Sequence, residues 1–523
     1  MKHSIPALLA VLLAALLCGC GVADREWEVC LPTDSDELFA ASPAAVTYPL
    51  PEGDPLTILM TDDSAGDFLA SSTELTGVRI ETAVIARDEL SDRLEVMLDA
   101  GDVPDLIDRF DQAVSMLDRA GMGAVVIDLT PWLMTDAPNY LSVMSASELL
   151  RDSILTDDGE TEAFLQLREG TDIVSYGPWI RADWLDALGL DIPRTYDEYE
   201  TVLIAFRDAY GTSDALLLPV SGAVEGDYLS AGYGVPSYVS GRDYSALGFY
   251  IQDGTVKYAP LEDGFWDYAA RLNDWYSLGL MSSDFVSYGS EYTRVAASGE
   301  AGIFYLTTTE AESVSAVLPE GALEPIPDAV LTAGDETHFS MDSASRIYQE
   351  TFSVSEDCAD PGLAVRWCDF WYSEEGQKRM NYGVEGLTWQ QGEDGTVVFT
   401  DFLLSDPQEQ RRYLCDRMPG ILDLDAVRSL RDASLQAVSD VWMTHKDSAH
   451  RIPGDLALSD SDAERFGEMI TAIQTYTAGL VDLLIVGEVT QSQKAEKIAE
   501  LRSLGIDKCL ACLQTYASAG AMD

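Results

Sequence analysis

Basic residues are scarce in this sequence. Lysine and arginine number 32 against 90 aspartates and glutamates, a formal net charge of -58. Such a surface repels phosphate backbones and anionic headgroups, which argues against nucleic acid as a partner. Histidine is scarcer still, at 4. One of these is His3, so imidazole-based metal or triad chemistry would have only His338, His445 and His450 to draw on. No G-x-S-x-G or H-E-x-x-H motif occurs. An acidic calcium loop with a glutamate at its twelfth position is also missing. No internal repeat is visible. After the N-terminus, no apolar stretch reaches the ~20 residues of a membrane helix.

What is present is a chain of 523 residues, 47% hydrophobic. That is ample for a large core and too long for one compact domain, so two domains are expected. Glycine and proline are near average, which excludes a fibrous chain.

The N-terminus reads as a leader. Met1-Lys2-His3-Ser4 precedes an apolar run from Ile5 to Leu17, interrupted only by Pro6. Leu17-Cys18-Gly19-Cys20 resembles a bacterial lipobox, which implies cleavage after residue 19 and a lipid on the Cys20 thiol. Residues 20–53 carry Pro32, Pro43, Pro49 and Pro51 without helical or strand period. A flexible lipidated tether is expected there, holding the protein at the outer face of the cell membrane. Six cysteines remain: Cys30, Cys358, Cys368, Cys415, Cys509 and Cys512. Cys509 and Cys512 have C-x-x-C spacing but no second pair for a zinc site. Two small semi-buried helix residues are the expectation there, and any disulfide pairing is left open.

Periodicity places strands at 56–60, 78–85, 105–107, 124–127 and 216–220. Leu90, Leu94, Met97 and Leu98 share one helical face, closed by Gly101. Thr195-x-x-Glu198 and Ser461-x-x-Glu464 read as capping boxes that open helices. Further helices are expected near 183–188, 266–278 and 495–504. Strands alternating with helices indicate an α/β layered architecture.

Several segments together resemble one family, the extracellular solute-binding proteins of ABC importers, family 1, in its lipoprotein, carbohydrate-type branch. The matching stretches are Leu75–Val78 with Leu94–Ile107, Ile127–Leu133 with Ala137–Tyr140, Trp179–Tyr199, Trp275–Leu280 with Ser298–Ile303, and Tyr372–Gly376 with Asn381–Gly386. Residues 211–250 and 305–345 match poorly. The resemblance implies a two-lobed α/β fold of the periplasmic-binding-protein type II kind, with crossing strands as a hinge and extra C-terminal helices. Lobe 1 is expected from 54–170 and 300–345, and lobe 2 from 171–299 and 346–523. The implied function is capture of a carbohydrate, such as an oligosaccharide, in a cleft between the lobes. Delivery to the importer's membrane subunits would follow, with no catalysis, no cofactor and a monomeric protein.

A sugar offers apolar faces and a polar rim, so a site needs aromatic surfaces and fork-like polar groups. Asp108, Arg109 and Asp111 follow an expected strand end, where α/β sheets bind ligands. Trp179 and Arg181 lie at the expected crossing, where Arg181 can bind hydroxyls or a uronate, or pair with Asp183. Tyr228 and Tyr233 lie in a Gly-rich loop, and Tyr305 follows a strand. Tyr382, Glu385 and Trp389 flank glycines that let backbone approach a ligand. Two other readings compete. A secreted glycoside hydrolase would need paired carboxylates, which 90 acidic residues supply without meaning. A surface adhesin or sensor component could use the same fold.

Overall fold

The computed structural model describes residues 35–520 apart from 42, 87–88, 109–124, 147, 157–158, 171–173, 219–227, 237–243, 245–246, 284, 286–290, 340–346, 393–394, 432, 453–455 and 457. The chain divides into two compact α/β units, each assembled from separated stretches. The first comprises Cys30–Asp172 with Ser345–Arg431, and the second Ile173–Ala344 with Asp432–Met522.

The first unit is built on a six-stranded sheet. Its order is Gly420–Asp423, Phe164–Glu169, Ile347–Val354, Leu106–Asp108, Leu56–Met60, Ile80–Val84. Leu56–Met60 alternates as a strand must: Leu56, Ile58 and Met60 enter one apolar cluster with Phe164 and Trp367, while Leu59 enters another with Ile107, Leu90 and Leu94. Burial on both faces is what parallel strands require, and each fully buried leucine or isoleucine contributes about 1.5–3 kcal/mol. The helix Leu90–Ala100 supplies Leu90 and Leu94 one turn apart, and Gly101 ends it in the left-handed conformation at φ 61°. The expected strand over 124–127 reduces, among the described residues, to a single bridge between Val126 and Ser355.

In the second unit the sheet order is Leu323–Pro325, Tyr176–Arg181, Ile303–Thr307, Leu216–Leu217. The helix Tyr196–Tyr210 opens on the expected capping box: the Glu198 amide donates to the Thr195 hydroxyl, and the Thr195 amide donates to the Glu198 carboxylate. It buries Tyr196, Tyr199, Val202, Leu203 and Phe206, the positions that helical spacing selects. The helix Asp460–Ile485 is capped by Ser459, whose hydroxyl accepts from the Asp462 amide, two positions before the expected Ser461. Cys509 and Cys512 lie on Ile506–Gly520, fully buried and unbonded to each other. Burial pushes both thiols up to about 12, so neither is a thiolate at neutral pH. Cys358, Cys368 and Cys415 are also buried free thiols.

Two expectations about domains need correction. The chain does not return to the first unit near 300. Ile303–Thr307 pairs antiparallel with Tyr176–Arg181 in the second unit, and the return is made by Ile347–Val354, which inserts between Leu106–Asp108 and Phe164–Glu169. Residues 300–344 therefore belong with 173–299, and 345–431 belong to the first unit. An apolar run fits either sheet, and its hydrogen-bond partner is not written in the run. The tether is also shorter than 20–53. Ser35–Ala40 is a helix, and Leu38 and Leu50 are buried in the first unit's core. Tyr48 donates its hydroxyl to the Arg366 carbonyl at 2.7 Å. A few large apolar side chains among prolines are enough to dock this segment.

Candidate functional site

Five strands of the first unit run the same way. Leu56–Met60 is parallel to Ile80–Val84 and Leu106–Asp108, and Gly420–Asp423 is parallel to Phe164–Glu169. Ile347–Val354, antiparallel to both Leu106–Asp108 and Phe164–Glu169, links the two sets. All five carboxyl ends therefore open on one edge, the side on which open α/β sheets bind ligands.

Two groups of side chains stand on that edge. The first is centred on Arg417. Its guanidinium reaches Asp62 at 2.7 Å through Nη1 and Asp108 at 2.7 Å through Nη2, and Nη1 also donates to the Ser64 hydroxyl at 3.2 Å. The Asp108 side chain is 2% exposed and Arg417 12%, while Asp62 is 49% exposed. Asp108 thus fixes the arginine from below, and Asp62 is the member that meets solvent. Partial burial works to raise the Asp62 carboxyl, but hydrogen bonds from Ser64 and the Arg417 charge outweigh it and hold the group below its ordinary value.

The second group lies farther along the strand direction. Asp108 is in register with Phe352 and so with Phe164, whereas Asp423 is in register with Glu169. Five residues of strand separate these levels, about 16 Å. Tyr382 ends the helix Glu374–Tyr382 and donates its hydroxyl to Asp423. Its ring lies 5.8 Å from that of Trp389, tilted by 58°. Both rings are half-buried. Gly383 makes this approach possible. Its φ is 83°, and a Cβ there would meet the Thr388 hydroxyl at 2.5 Å, in a turn where that hydroxyl bonds the Tyr382 carbonyl and the Val384 amide. Burial, and then the Asp423 carboxylate, raise the Tyr382 phenol well above its ordinary value, so it stays a donor. Asn381 and Leu422, their sequence neighbours, line a pocket of about 220 Å³ with Met380, Leu414, Cys415 and Arg431.

The other expected site residues fall elsewhere. Arg109 and Asp111 lie outside the described residues. Glu385 is exposed in the turn between Tyr382 and Trp389. Trp179 is 7% exposed in the second unit's core, its Nε1 donating to the Leu306 carbonyl at 3.2 Å and its ring edge-on to Trp442. Arg181 spends its fork on Asp183, at 2.7 and 2.6 Å, and donates to the Gly299 carbonyl at 3.0 Å. Of the two roles weighed for it, the geometry has the ion pair. Tyr305 is fully buried and donates to Asp328 at 3.3 Å. Tyr233 accepts from Arg271 at 3.2 Å among Tyr196 and Tyr268. Tyr228 opens the short 3-10 helix Tyr228–Tyr233, and its side chain lies outside the described ones. Asp62, Ser64, Arg417 and Asp423 were not singled out from sequence. The loop after the first strand could have suggested Asp62. Arg417 carries no local signal, because its partners are over 300 residues away.

No family model matches the chain. Among curated proteins, Lipoprotein LipO of Bacillus subtilis is 24% identical over 277 residues, 50% of this chain and 51% of its own length. The polygalacturonan/rhamnogalacturonan-binding protein YtcQ of Bacillus subtilis is 23% identical over 447 residues, 83% of this chain and 84% of YtcQ. The fructooligosaccharide ABC transporter substrate-binding protein FusA of Streptococcus pneumoniae is 22% identical over 372 residues, 66% of either chain. The matched stretch thus spans about half the length of LipO and two thirds of FusA. A solved structure of FusA with kestose aligns with a TM-score of 0.63 at 17% identity, over 89% of this chain and 99% of that one. Likeness at this identity shows the fold, which is the two-lobed periplasmic-binding-protein-like one.

Proposed function

We propose that this chain, a relative of ABC-transporter substrate-binding proteins with their two-lobed fold, captures a carbohydrate outside the cell and hands it unchanged to an ABC importer. The observation that carries the reading is the carboxyl edge of the first unit. There an aromatic pair, Tyr382 and Trp389, stands with carboxylates and an oriented arginine. Aromatic faces suit the C–H faces of a sugar ring, and carboxylate oxygens suit its hydroxyls. FusA, named for fructooligosaccharide, and YtcQ, named for polygalacturonan and rhamnogalacturonan, support the same class of solute.

The rest of the reading follows from the N-terminus. Cleavage before Cys20 and lipidation of its thiol would hold a monomer at the outer face of the membrane, beside the permease subunits that receive the solute. Mass spectrometry of the mature chain from membranes tests this: a diacylglyceryl adduct on Cys20 is expected, and an unmodified chain beginning elsewhere would overturn it.

Capture itself is tested by thermal shift against a panel of oligosaccharides. A true ligand at 100 times its dissociation constant adds about 2.7 kcal/mol of stability. The same mixtures, assayed for new reducing ends, should show none. Release of reducing sugar would instead make the protein a hydrolase.

A further inference from the structure

Ahead of the first strand, residues 35–41 and 43–50 lie against the first unit as a strap. The helix Ser35–Ala40 packs on Thr130–Asp136 and Glu148–Ser153, and Leu38 is 2% exposed. The Arg151 guanidinium lies over the Phe39 ring at 5.5 Å. Farther along, the Tyr48 ring stands edge-on to Phe370 at 4.9 Å, and its hydroxyl reaches the Asp369 carboxylate at 3.3 Å as well as the Arg366 carbonyl.

Leu50 closes the strap in two ways. Its side chain is buried in the first unit's core, and its amide donates at 2.8 Å to the Thr76 carbonyl, at the end of the helix Gly66–Thr76. The last carbonyls of a helix have no partner within it, so the strap serves as part of that helix's cap. Gly77 follows at φ 81°, and a Cβ there would lie 2.1 Å from the Leu50 carbonyl oxygen and 2.6 Å from the Leu50 nitrogen. Glycine is what leaves the strap this path. Beyond it, residues 51–54 are all exposed, and a Cβ on Gly53 would meet nothing within 4 Å. An open link therefore joins the strap to the strand Leu56–Met60, so the strap can lift without unzipping the sheet.

The consequence is one of chain length. From Cys20 to Ser35 is 15 residues, which span at most ~55 Å when fully extended. From Cys20 to Leu56 is 36 residues, at most ~130 Å. Resting on the reading that Cys20 carries the lipid, we propose that residues 35–50 are a docked strap that shortens the leash and so sets how far the first unit reaches from the membrane. A shorter leash raises the local concentration of the binding protein where the importer's membrane subunits lie.

The test uses the lipidated full chain, purified from membranes and reconstituted on a supported bilayer. Neutron reflectometry reads the distance of the protein layer from the headgroups, and hydrogen exchange reads the strap. In the natural chain the near edge of the layer should lie within ~55 Å, and the Leu50 amide should exchange at least about tenfold more slowly than in an unfolded peptide. L38S/L50S should lose that protection at position 50 and move the layer outward by about 10 Å or more. Protected amides in Leu56–Met60 show that its first unit is folded. An insertion of about 21 Gly and Ser residues after Thr33 lengthens the leash by as much while the strap stays docked. It should move the layer equally, with position 50 still protected. An unprotected Leu50 in the natural chain would overturn the strap. A layer that stays put in folded L38S/L50S would overturn its control of reach, and so would a layer unmoved by the insertion. Mass spectrometry that finds no lipid on Cys20 would remove the anchor itself, and this inference with it.

Discussion

Arg181 and Asp183, two positions apart, form a closed bidentate pair: Nε donates to Oδ1 at 2.7 Å and Nη2 to Oδ2 at 2.6 Å. The strand Tyr176–Arg181 ends at the arginine and the helix Ala182–Leu188 begins just after it, so the pair staples a strand-to-helix turn. The guanidinium also lies over the Trp184 ring at 4.5 Å. Lysine cannot reproduce the planar fork. R181K should therefore lower stability by about 1–3 kcal/mol, read as an earlier urea midpoint at unchanged slope.

A second ion pair sits deeper. Lys446 and Asp328 meet with both side chains 4% exposed, and Tyr305 adds a hydroxyl to the same carboxylate. Neutralising Asp328 takes away the buried counter-charge that Lys446 meets there. D328N should cost about 3–5 kcal/mol, measured by denaturant unfolding, and D328N combined with K446M should recover much of that loss.

Under the proposed function Trp389 meets the sugar, so its removal should act on affinity. W389A should weaken the best oligosaccharide by about tenfold or more in calorimetric titration, with a modest fall in melting temperature. Y382F keeps the ring and loses only the hydroxyl bond to Asp423, so it should lose less affinity than W389A.

Asp482 gives a prediction in pH. It lies in the last turn of Asp460–Ile485, and burial raises its carboxyl to about 6 from 3.8. The end of that helix carries the negative pole of its dipole, which is unfavourable for a carboxylate. A carboxyl raised by folding helps the fold while protonated, below its unfolded value near 4, and that help is lost as pH rises through about 6. D482N should therefore be more stable than the natural chain by about 1–3 kcal/mol at pH 7, with the difference vanishing near pH 4. Urea midpoints at both pH values check it. A gain that persists at pH 4 would point to packing instead of charge.

Elements that rest on local rules were legible in the sequence. The Thr195 capping box, the left-handed Gly101 stop and the alternating strand Leu56–Met60 each depend on residues within a few positions. The inert character of Cys509 and Cys512, two buried helix residues, was legible in the same way. Part of the candidate edge was also singled out in the sequence. Tyr382, Trp389 and Asp108 were singled out and stand on the carboxyl edge, whereas Trp179 and Tyr305 face inward because their two paired strands are buried on both sides.

The sequence by itself determined the α/β class, the local starts and stops of its helices, and a strongly acidic charge balance. These follow from side-chain chemistry summed over short windows. Only the tertiary structure decided that Ile347–Val354 completes the first sheet, that Leu38, Tyr48 and Leu50 dock on its core, and that Arg417 joins Asp62 to Asp108. Those outcomes depend on hydrogen-bond partners hundreds of residues away. An arginine's three options, to pair, to bind or to face water, look alike until the fold brings its carboxylates into reach.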